Sequence, residues 1–313
     1  MKIVITGALG HIGSRLIREY PTCYPHSEII LIDNLSTQRY GSLFNLPKKA
    51  RFQFIEANVE QMDLIPVFQD CDLVIHLAAI TNAEGSFEMR ERVERVNFEG
   101  TKRVAMACLQ TRTPLLFPSS TSVYGTAKNI VNEDCEPSDL NPQSPYAETK
   151  LREEQLILSL SQKGLRFTIC RFGTIFGTSV GMRFHTAVNK FCWQAVNGEP
   201  VTVWTTALHQ VRPYLDLSDA VRALLFLIQT TRYDQNIYNV LTTNASVHHI
   251  LESIKLHIPN IGVKFVDTKI MNQLSYHVSN EKFKALGFTF NGSLETGIRE
   301  TIDLLRYNSL KAA

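Results

Sequence analysis

The sequence predicts an α/β protein built on a doubly wound parallel sheet, with a smaller mixed α/β lobe. Three observations lead there: short apolar runs recur through the first half of the chain, helical stretches fall between them, and after Gly177 that alternation loosens. Strands that alternate with helices form a parallel sheet covered on both faces.

Lys2–Thr6 is the first apolar run, followed by a glycine-punctuated turn over 7–13 and a helical pattern that begins over Ile12–Glu19; "EIILID" (28–33) is the second strand. Further strands are expected at Arg51–Ala57, Asp72–Leu77, Pro114–Pro118 and Arg166–Arg171, with helices over 89–110 and 146–163 between them. Pro145 suits the first turn of the latter helix, with Leu151, Leu156 and Leu160 as its expected buried stripe. Beyond Gly177 come a helix near 184–197, a strand at 200–204, a helix near 218–230 and a mixed tail from "IYNV" onward. No repeat or long linker separates the halves. The expectation is a sheet domain over 1–172 that also receives segments from about 205–240, interleaved with a lobe drawn mainly from 173–313.

At 313 residues, 44% hydrophobic and 20% charged, the chain has the composition of a soluble globular protein with a sizeable core. A formal charge of +2 gives no field suited to nucleic acid or to an anionic membrane, so neither is an expected partner. Six cysteines, at 23, 71, 108, 135, 170 and 192, include no CxxC pair and no His at ligand spacing. They read as free thiols, mostly in the core, with no metal site and no disulfide framework. The chain starts directly on a strand, and no run of about 18 apolar residues follows, so a cytoplasmic location is expected.

"TGALGHIG" (6–13) sets Gly7, Gly10 and Gly13 directly after a strand and at the opening of a helix. The first glycine permits a tight turn, the second lets backbone approach a pyrophosphate, and the third lets helix pack on strand. Asp33 ends the second strand, where its carboxylate can accept hydrogen bonds from an adenosine ribose and repel a 2′-phosphate. Taken singly, the glycines are ordinary turn residues and Asp33 an ordinary turn former. Together they predict a Rossmann-type dinucleotide site that favours NAD over NADP.

"FPSSTSVYG" (117–125) follows the strand expected at 114–118, at the sheet edge where open α/β folds bind ligands. "PYAETK" (145–150) places Tyr146 and Lys150 four apart on one helical face. Such a pair is either solvated surface or a catalyst in which an ammonium favours a phenolate. Ser120, Tyr146 and Lys150 would all reach one crevice beside the dinucleotide.

With these residues in order, the sequence resembles the extended short-chain dehydrogenase/reductase family, in its NAD-dependent sugar-nucleotide epimerase/dehydratase branch. The resemblance covers nearly the whole chain: the glycine turn, "LIDNLS" (31–36), "HLAA" (76–79), "NFEGT" (97–101), "SSTSVYG" (119–125), "SPYAETK" (144–150), "VRPYLDLSDA" (211–220), "IYNV" (237–240) and "SLETGIRETIDLL". By resemblance Tyr146 is the general acid/base, Lys150 holds the nicotinamide ribose and tunes the tyrosine, and Ser120 hydrogen-bonds the reacting sugar hydroxyl. The cofactor would be NAD, held by the three glycines with His11 and Ile12, by Asp33 and Asn34, and by Asn58 and Val59. Leu77, Ala78, Ala79, Asn97 and Phe172 would complete its cradle with Tyr146 and Lys150. Thr81, Ser120, Thr121, Tyr146, Thr174, Arg183 and Arg212 would meet the nucleotide-sugar substrate, with Arg212 gripping its diphosphate. Arg212 as an ordinary surface arginine is the other reading. The family's helix pair, here 89–109 and the helix of Tyr146, implies a homodimer.

Dehydratases and decarboxylases of the branch carry a carboxylate where this chain has Thr121 and Ser122. Small hydroxyl residues there resemble the 4-epimerases, in which hydride leaves C4, the 4-keto sugar turns over, and hydride returns. The chain departs from the usual pattern at Asn58, Thr174, Thr178, Pro213 and Asp216, which bears on substrate identity more than on reaction type. Arg183 is placed to reach a phosphate or a sugar carboxylate, or to lie on the solvated surface. Two rival readings stand beside the epimerase: an NAD(P)H-dependent 4-keto-sugar reductase and a non-catalytic NAD-binding sensor. UDP is the family's most frequent nucleotide.

Overall fold

The computed structural model describes residues 1–125, 128–267 and 275–308. Seven parallel strands form its central sheet: β1 (Lys2–Thr6), β2 (Glu28–Asp33), β3 (Arg51–Glu56), β4 (Leu73–His76), β5 (Leu115–Ser120), β6 (Phe167–Phe172) and β7 (Asn236–Val240), in the spatial order β7-β6-β5-β4-β1-β2-β3. Alternate side chains of β1 feed two cores. Ile3 and Ile5 pack with Leu16 and Ile17 of helix α1 (His11–Cys23), while Val4 packs with Val104 and Cys108 of helix α2 (Gly100–Thr111) on the other face. Each fully buried aliphatic side chain contributes about 1.5–3 kcal/mol, which is why a strand buried on both faces reads as a continuous apolar run.

Strand order reverses between β1 and β4, so the connections leaving those strands open a crevice at their carboxyl ends. The strand expected at Pro114–Pro118 runs on to Ser120 because β6 continues beside it, with Ser119 opposite Arg171 and Ser120 opposite Phe172. Two hydroxyls are thereby fixed on a strand at the crevice rather than carried on a loop. The helix expected over 89–110 contains a π-helical segment, Glu94–Glu99, between α-helical Arg90–Val93 and α2.

Helix α3 (Pro145–Ser159) starts as its sequence indicates, with Ser144 capping the Ala147 amide and Pro145 in the first turn. Its buried stripe differs from the expected one. Leu160, just past its end, is buried, but Leu151 and Leu156 are only half-buried, and the face turned inward carries Ala147, Lys150, Glu153, Glu154 and Ile157. Three charged residues occupy core positions because each finds an opposite charge there.

The second half of the chain serves two sheets. β7 joins the main sheet beside β6, and helix α4 (Leu217–Gln229) shares a core with α1. A separate three-stranded sheet, ordered Thr243–Ser246, Val211–Asp216, Thr174–Phe176, has its own core with Phe176, Tyr214, Ile250 and Ile298. Cys71, Cys108, Cys170 and Cys192 are buried free thiols, with Cys135 half-buried and Cys23 exposed. Among the described residues no helix is long and apolar enough to cross a membrane.

Candidate active site

The turn from β1 into α1 has the geometry of an anion cradle. Gly7 adopts a φ of +65°, and a Cβ there would lie 2.6 Å from the Ala78 amide nitrogen, so only glycine lets the turn approach the end of β4. A Cβ on Gly13 would lie 2.5 Å from the Ala8 carbonyl. Gly10 caps α1 without a side-chain hydrogen bond, and no acidic residue sits in the first turn, so nothing competes with an anion for its amides. Asp33 accepts hydrogen bonds from the amides of Leu9 and Leu35, both at 3.0 Å, which fix its carboxylate beside the turn with acceptor sites to spare. Asn34 donates to Asn58 at 2.7 Å, joining the ends of β2 and β3, and Val59 is buried below. These residues fit a dinucleotide.

Two of the expected cofactor residues have other partners. Both hydrogen bonds of the buried Asn97 amide go to the backbone of Ile80, so it holds the segment after β4 in place. His11 Nδ1 lies 2.7 Å from Ser179 Oγ, and its Nε2 is buried without a partner. Burial and the neighbouring Arg183 hold the ring well below its usual pKa, so it is neutral. Arg39, absent from the sequence reading, has its guanidinium close to Gly10 and Asp33.

A cleft of about 400 Å³ opens beside Ile12 of α1 and runs across the carboxyl ends of β4, β5 and β6 into the three-stranded sheet. Its walls bring together Ile12, Leu77, Ala79 and Phe172 with Ser120, Thr121, Tyr146 and Lys150, and then Thr81, Thr174, Arg183 and Arg212. Ser120 Oγ accepts from the amide and the hydroxyl of Ser122, at 3.2 and 2.9 Å, which leaves its own proton to donate. Thr121 Oγ1 donates to the Phe172 carbonyl at 3.2 Å. Tyr146 is half-buried, and its amide donates to Ser86 Oγ at 3.2 Å. Lys150 is only 4% exposed: its Nζ lies 3.0 Å from Glu153 Oε2, 3.4 Å from the Pro118 carbonyl and 4.4 Å from the centre of the Phe117 ring.

The far end is cationic. Arg183 donates to Thr81 Oγ1 at 2.6 Å, makes no ion pair among the described residues, and has its Nε buried and unpartnered. Arg212 donates to Gln210 Oε1 at 3.1 Å and lies over the Tyr276 ring. Burial pulls both guanidinium groups below their usual pKa, so an anion brought here would relieve the desolvation of each. His185, within the segment 181–189 that the sequence points to as shaping the substrate pocket, lines the cleft, and so do Lys190, Trp204 and Glu84, which the sequence reading passed over. These last three come from segments without a distinctive spacing, and only the fold brings them to the wall.

Residues 3–240 match the NAD dependent epimerase/dehydratase family. YtcB of Bacillus subtilis, named an uncharacterized UDP-glucose epimerase, is 31% identical over 233 residues, 72% of this chain and 71% of that one. A trifunctional UDP-glucose 4,6-dehydratase/UDP-4-keto-6-deoxy-D-glucose 3,5-epimerase/UDP-4-keto-L-rhamnose-reductase of Arabidopsis thaliana is 27% identical over 316 residues, 96% of this chain and 46% of the plant protein; the chain thus spans about half the length of that relative. Among solved structures, UDP-glucuronic acid 4-epimerase from Bacillus cereus in complex with UDP-glucuronic acid and NAD is similar with a TM-score of 0.88 at 25% identity, covering 98% of this chain and 99% of that one. MoeE5 in complex with UDP-glucuronic acid and NAD gives 0.86 at 26% identity, covering 99% and 100%.

Proposed function

The chain belongs to the NAD dependent epimerase/dehydratase family, and from that premise we propose that it is an NAD-dependent epimerase of a nucleotide-linked sugar, acting at C4 through a transient 4-keto sugar. One observation carries the choice within the family. Ser120, Tyr146 and Lys150 converge on one cleft whose neighbouring positions, Thr121 and Ser122, bear hydroxyls. Elimination of water or loss of CO2 uses a further acid or base at that point. The one carboxylate among the described lining residues, Glu84, sits on the exposed rim.

Residues 1–172, with the later strand β7 and helix α4, hold the cofactor: the glycine turn takes the pyrophosphate on the amides of α1, and Asp33 takes the adenosine ribose. Residues 173–313 mainly hold the substrate, with Arg183 and Arg212 facing its anionic part and UDP as the nucleotide. NAD supplies an acceptor and then a donor for the C4 hydrogen. Tyr146 takes the proton from the sugar O4 and returns it, Ser120 donates a hydrogen bond to that oxygen, and Lys150 stabilises the phenolate by its charge. The phenyl ring of Phe172 and the chain at Leu77 and Ala79 keep water from the reacting atoms. A homodimer through the run 90–111 and α3 fits the half-exposed apolar side chains Met106 and Leu158 on those helices.

The test is a panel of sugar nucleotides turned over in D2O, with products read by NMR and bound cofactor identified after denaturation. Inversion at C4 with catalytic NAD and no deuterium at carbon is expected, because a hydride that leaves and returns never mixes with solvent. Deuterium at C3 or C5 would defeat this reading. Stoichiometric NAD(P)H consumption would replace it with a 4-keto-sugar reductase, and no conversion across the panel with a sensor.

A further inference from the structure

Behind the reacting face of α3 lies a hydrogen-bonded chain whose members Thr6, His76 and Thr101 fall within the motifs that carry the resemblance, while Glu153, at its end, falls outside them. The Ala78 amide donates to Thr6 Oγ1 at 3.3 Å, and Thr6 Oγ1 lies 2.6 Å from His76 Nδ1. His76 Nε2 lies 3.1 Å from Thr101 Oγ1, which donates to Glu153 Oε1 at 2.8 Å. Thr6, Thr101 and Glu153 are fully buried, and His76 is 2% exposed. The direction of this chain follows from its ends. A carboxylate only accepts, so Thr101 must give its proton to Glu153 and accept from His76 Nε2–H; Nδ1 is then the acceptor for the Thr6 hydroxyl. The imidazole is neutral, since full burial and then the charge of Lys150 push its pKa down to about 3. Glu153 is therefore the only formal charge in the chain, and its second oxygen, 3.0 Å from Lys150 Nζ, has no aligned hydrogen bond of its own.

Its neighbour Glu154 marks the contrast. That carboxylate is taken up by Arg171, with contacts of 3.1, 3.1 and 2.7 Å, and by Ser119. Glu154 and Arg171 neutralise each other away from the cleft. Glu153 meets one cation, and that cation lines the cleft. We propose that Glu153 is the positioning residue of the reacting pair: its buried carboxylate, aimed by the one-way chain from Thr6 through His76 and Thr101, keeps the Lys150 side chain charged on the face of α3 that carries Tyr146. Burying an ammonium and a carboxylate carries a desolvation cost for each, which their mutual attraction offsets only while both charges are present. The remaining charged or titratable groups facing this spot are Tyr146 on the same helix, the neutralised Glu154–Arg171 pair, and Arg183, which faces Tyr146 across the cleft. Apart from Tyr146 while it is a phenolate, none of them offers Lys150 a negative charge of its own.

The inference rests on Tyr146 and Lys150 as the reacting pair, yet it can be tested without turnover. In lysine-labelled protein, the carbon shift of Lys150 Cε, assigned with Lys150→Met, reports the protonation of its amine as pH is raised. Glu153→Gln keeps the shape and the bond from Thr101 and removes the charge. Its Lys150 midpoint should lie at least about one pH unit below that of the unsubstituted protein, a tenfold loss of proton affinity. The alkaline limb of kcat/KM should move the same way, whereas a merely structural defect lowers activity at every pH alike. Equal midpoints would overturn the proposal. Thr101→Val, which keeps the volume and loses the hydroxyl, carries the same test if Glu153→Gln does not fold: a smaller fall is expected, and an unmoved midpoint overturns the role. Absence of epimerase activity in the unsubstituted protein would leave this titration intact, so the two readings fail separately.

Discussion

Tyr146 is anchored at both ends of its role: Ser86 holds its amide, the cap of Ser144 sets the turn it starts from, and its ring reaches the cleft. Tyr146→Phe keeps that anchoring and removes only the oxygen proposed to carry the proton. Turnover should fall by about 10²–10⁴, the usual weight of a general acid/base, with NAD affinity by calorimetry unchanged. His76 makes a second prediction, about stability. Its folded-state pKa, pushed down to about 3 by burial, lies below an unfolded value near ~6.5, so between those values the unfolded chain binds more protons and stability rises with pH. The stabilisation is complete above pH ~6.5 and is lost as pH falls toward about 3. Acidification from pH 7 to pH 5 should cost about 2 kcal/mol from this residue, and His11 acts in the same direction. Denaturant midpoints across that range should show a flatter slope in His76→Gln; the same slope in both proteins would contradict it. At this scale the sequence spacing put Tyr146 and Lys150 on one helical face, but nothing in "KLREEQL" distinguishes Glu153, which faces Lys150, from Glu154, which faces Arg171.

Among the elements, the segment after Thr174–Phe176 ties the smaller sheet to the glycine turn. The Gly181 amide donates to Ser14 Oγ at 2.9 Å, Ser179 meets His11, and a Cβ on Gly181 would lie 2.6 Å from the Gly10 carbonyl. Those obstacles are backbone atoms, so the strain cannot be relieved by a rotamer. Gly181→Ala should destabilise the protein by about 1–3 kcal/mol through overpacking, and should weaken NAD binding by displacing the turn. A thermal melt and NAD calorimetry of the variant check both effects. Unchanged affinity would show that the segment and the turn move independently. Strands and helices of the main sheet were legible because each is a long run of one period. The polar inner face of α3 was not, because its period carries charges whose partners lie on β6 and within the helix itself.

For the whole molecule, the proposed dimer predicts twice the chain mass by light scattering, and Met106→Glu, which buries a charge in that interface, should return the protein to a monomer with its NAD site intact. A monomer in the unsubstituted protein would remove the dimer. Its cleft is a property of the assembled chain: the carboxyl edge of one sheet supplies Ile12, Ser120 and the Tyr146 helix, and the smaller sheet supplies Thr174 and Arg212. The sequence by itself determined the parallel sheet, the glycine cradle with Asp33, and the Tyr–Lys spacing, because each depends on local period, backbone freedom or a fixed helical offset. Only the tertiary structure decided that Asn97 braces Ile80, that Arg183 turns inward to Thr81, and that Glu153 stands behind Lys150. Those outcomes depend on which distant segments meet in a low-dielectric interior, where a polar group must find its partner across the chain, and sequence spacing carries no record of that distance.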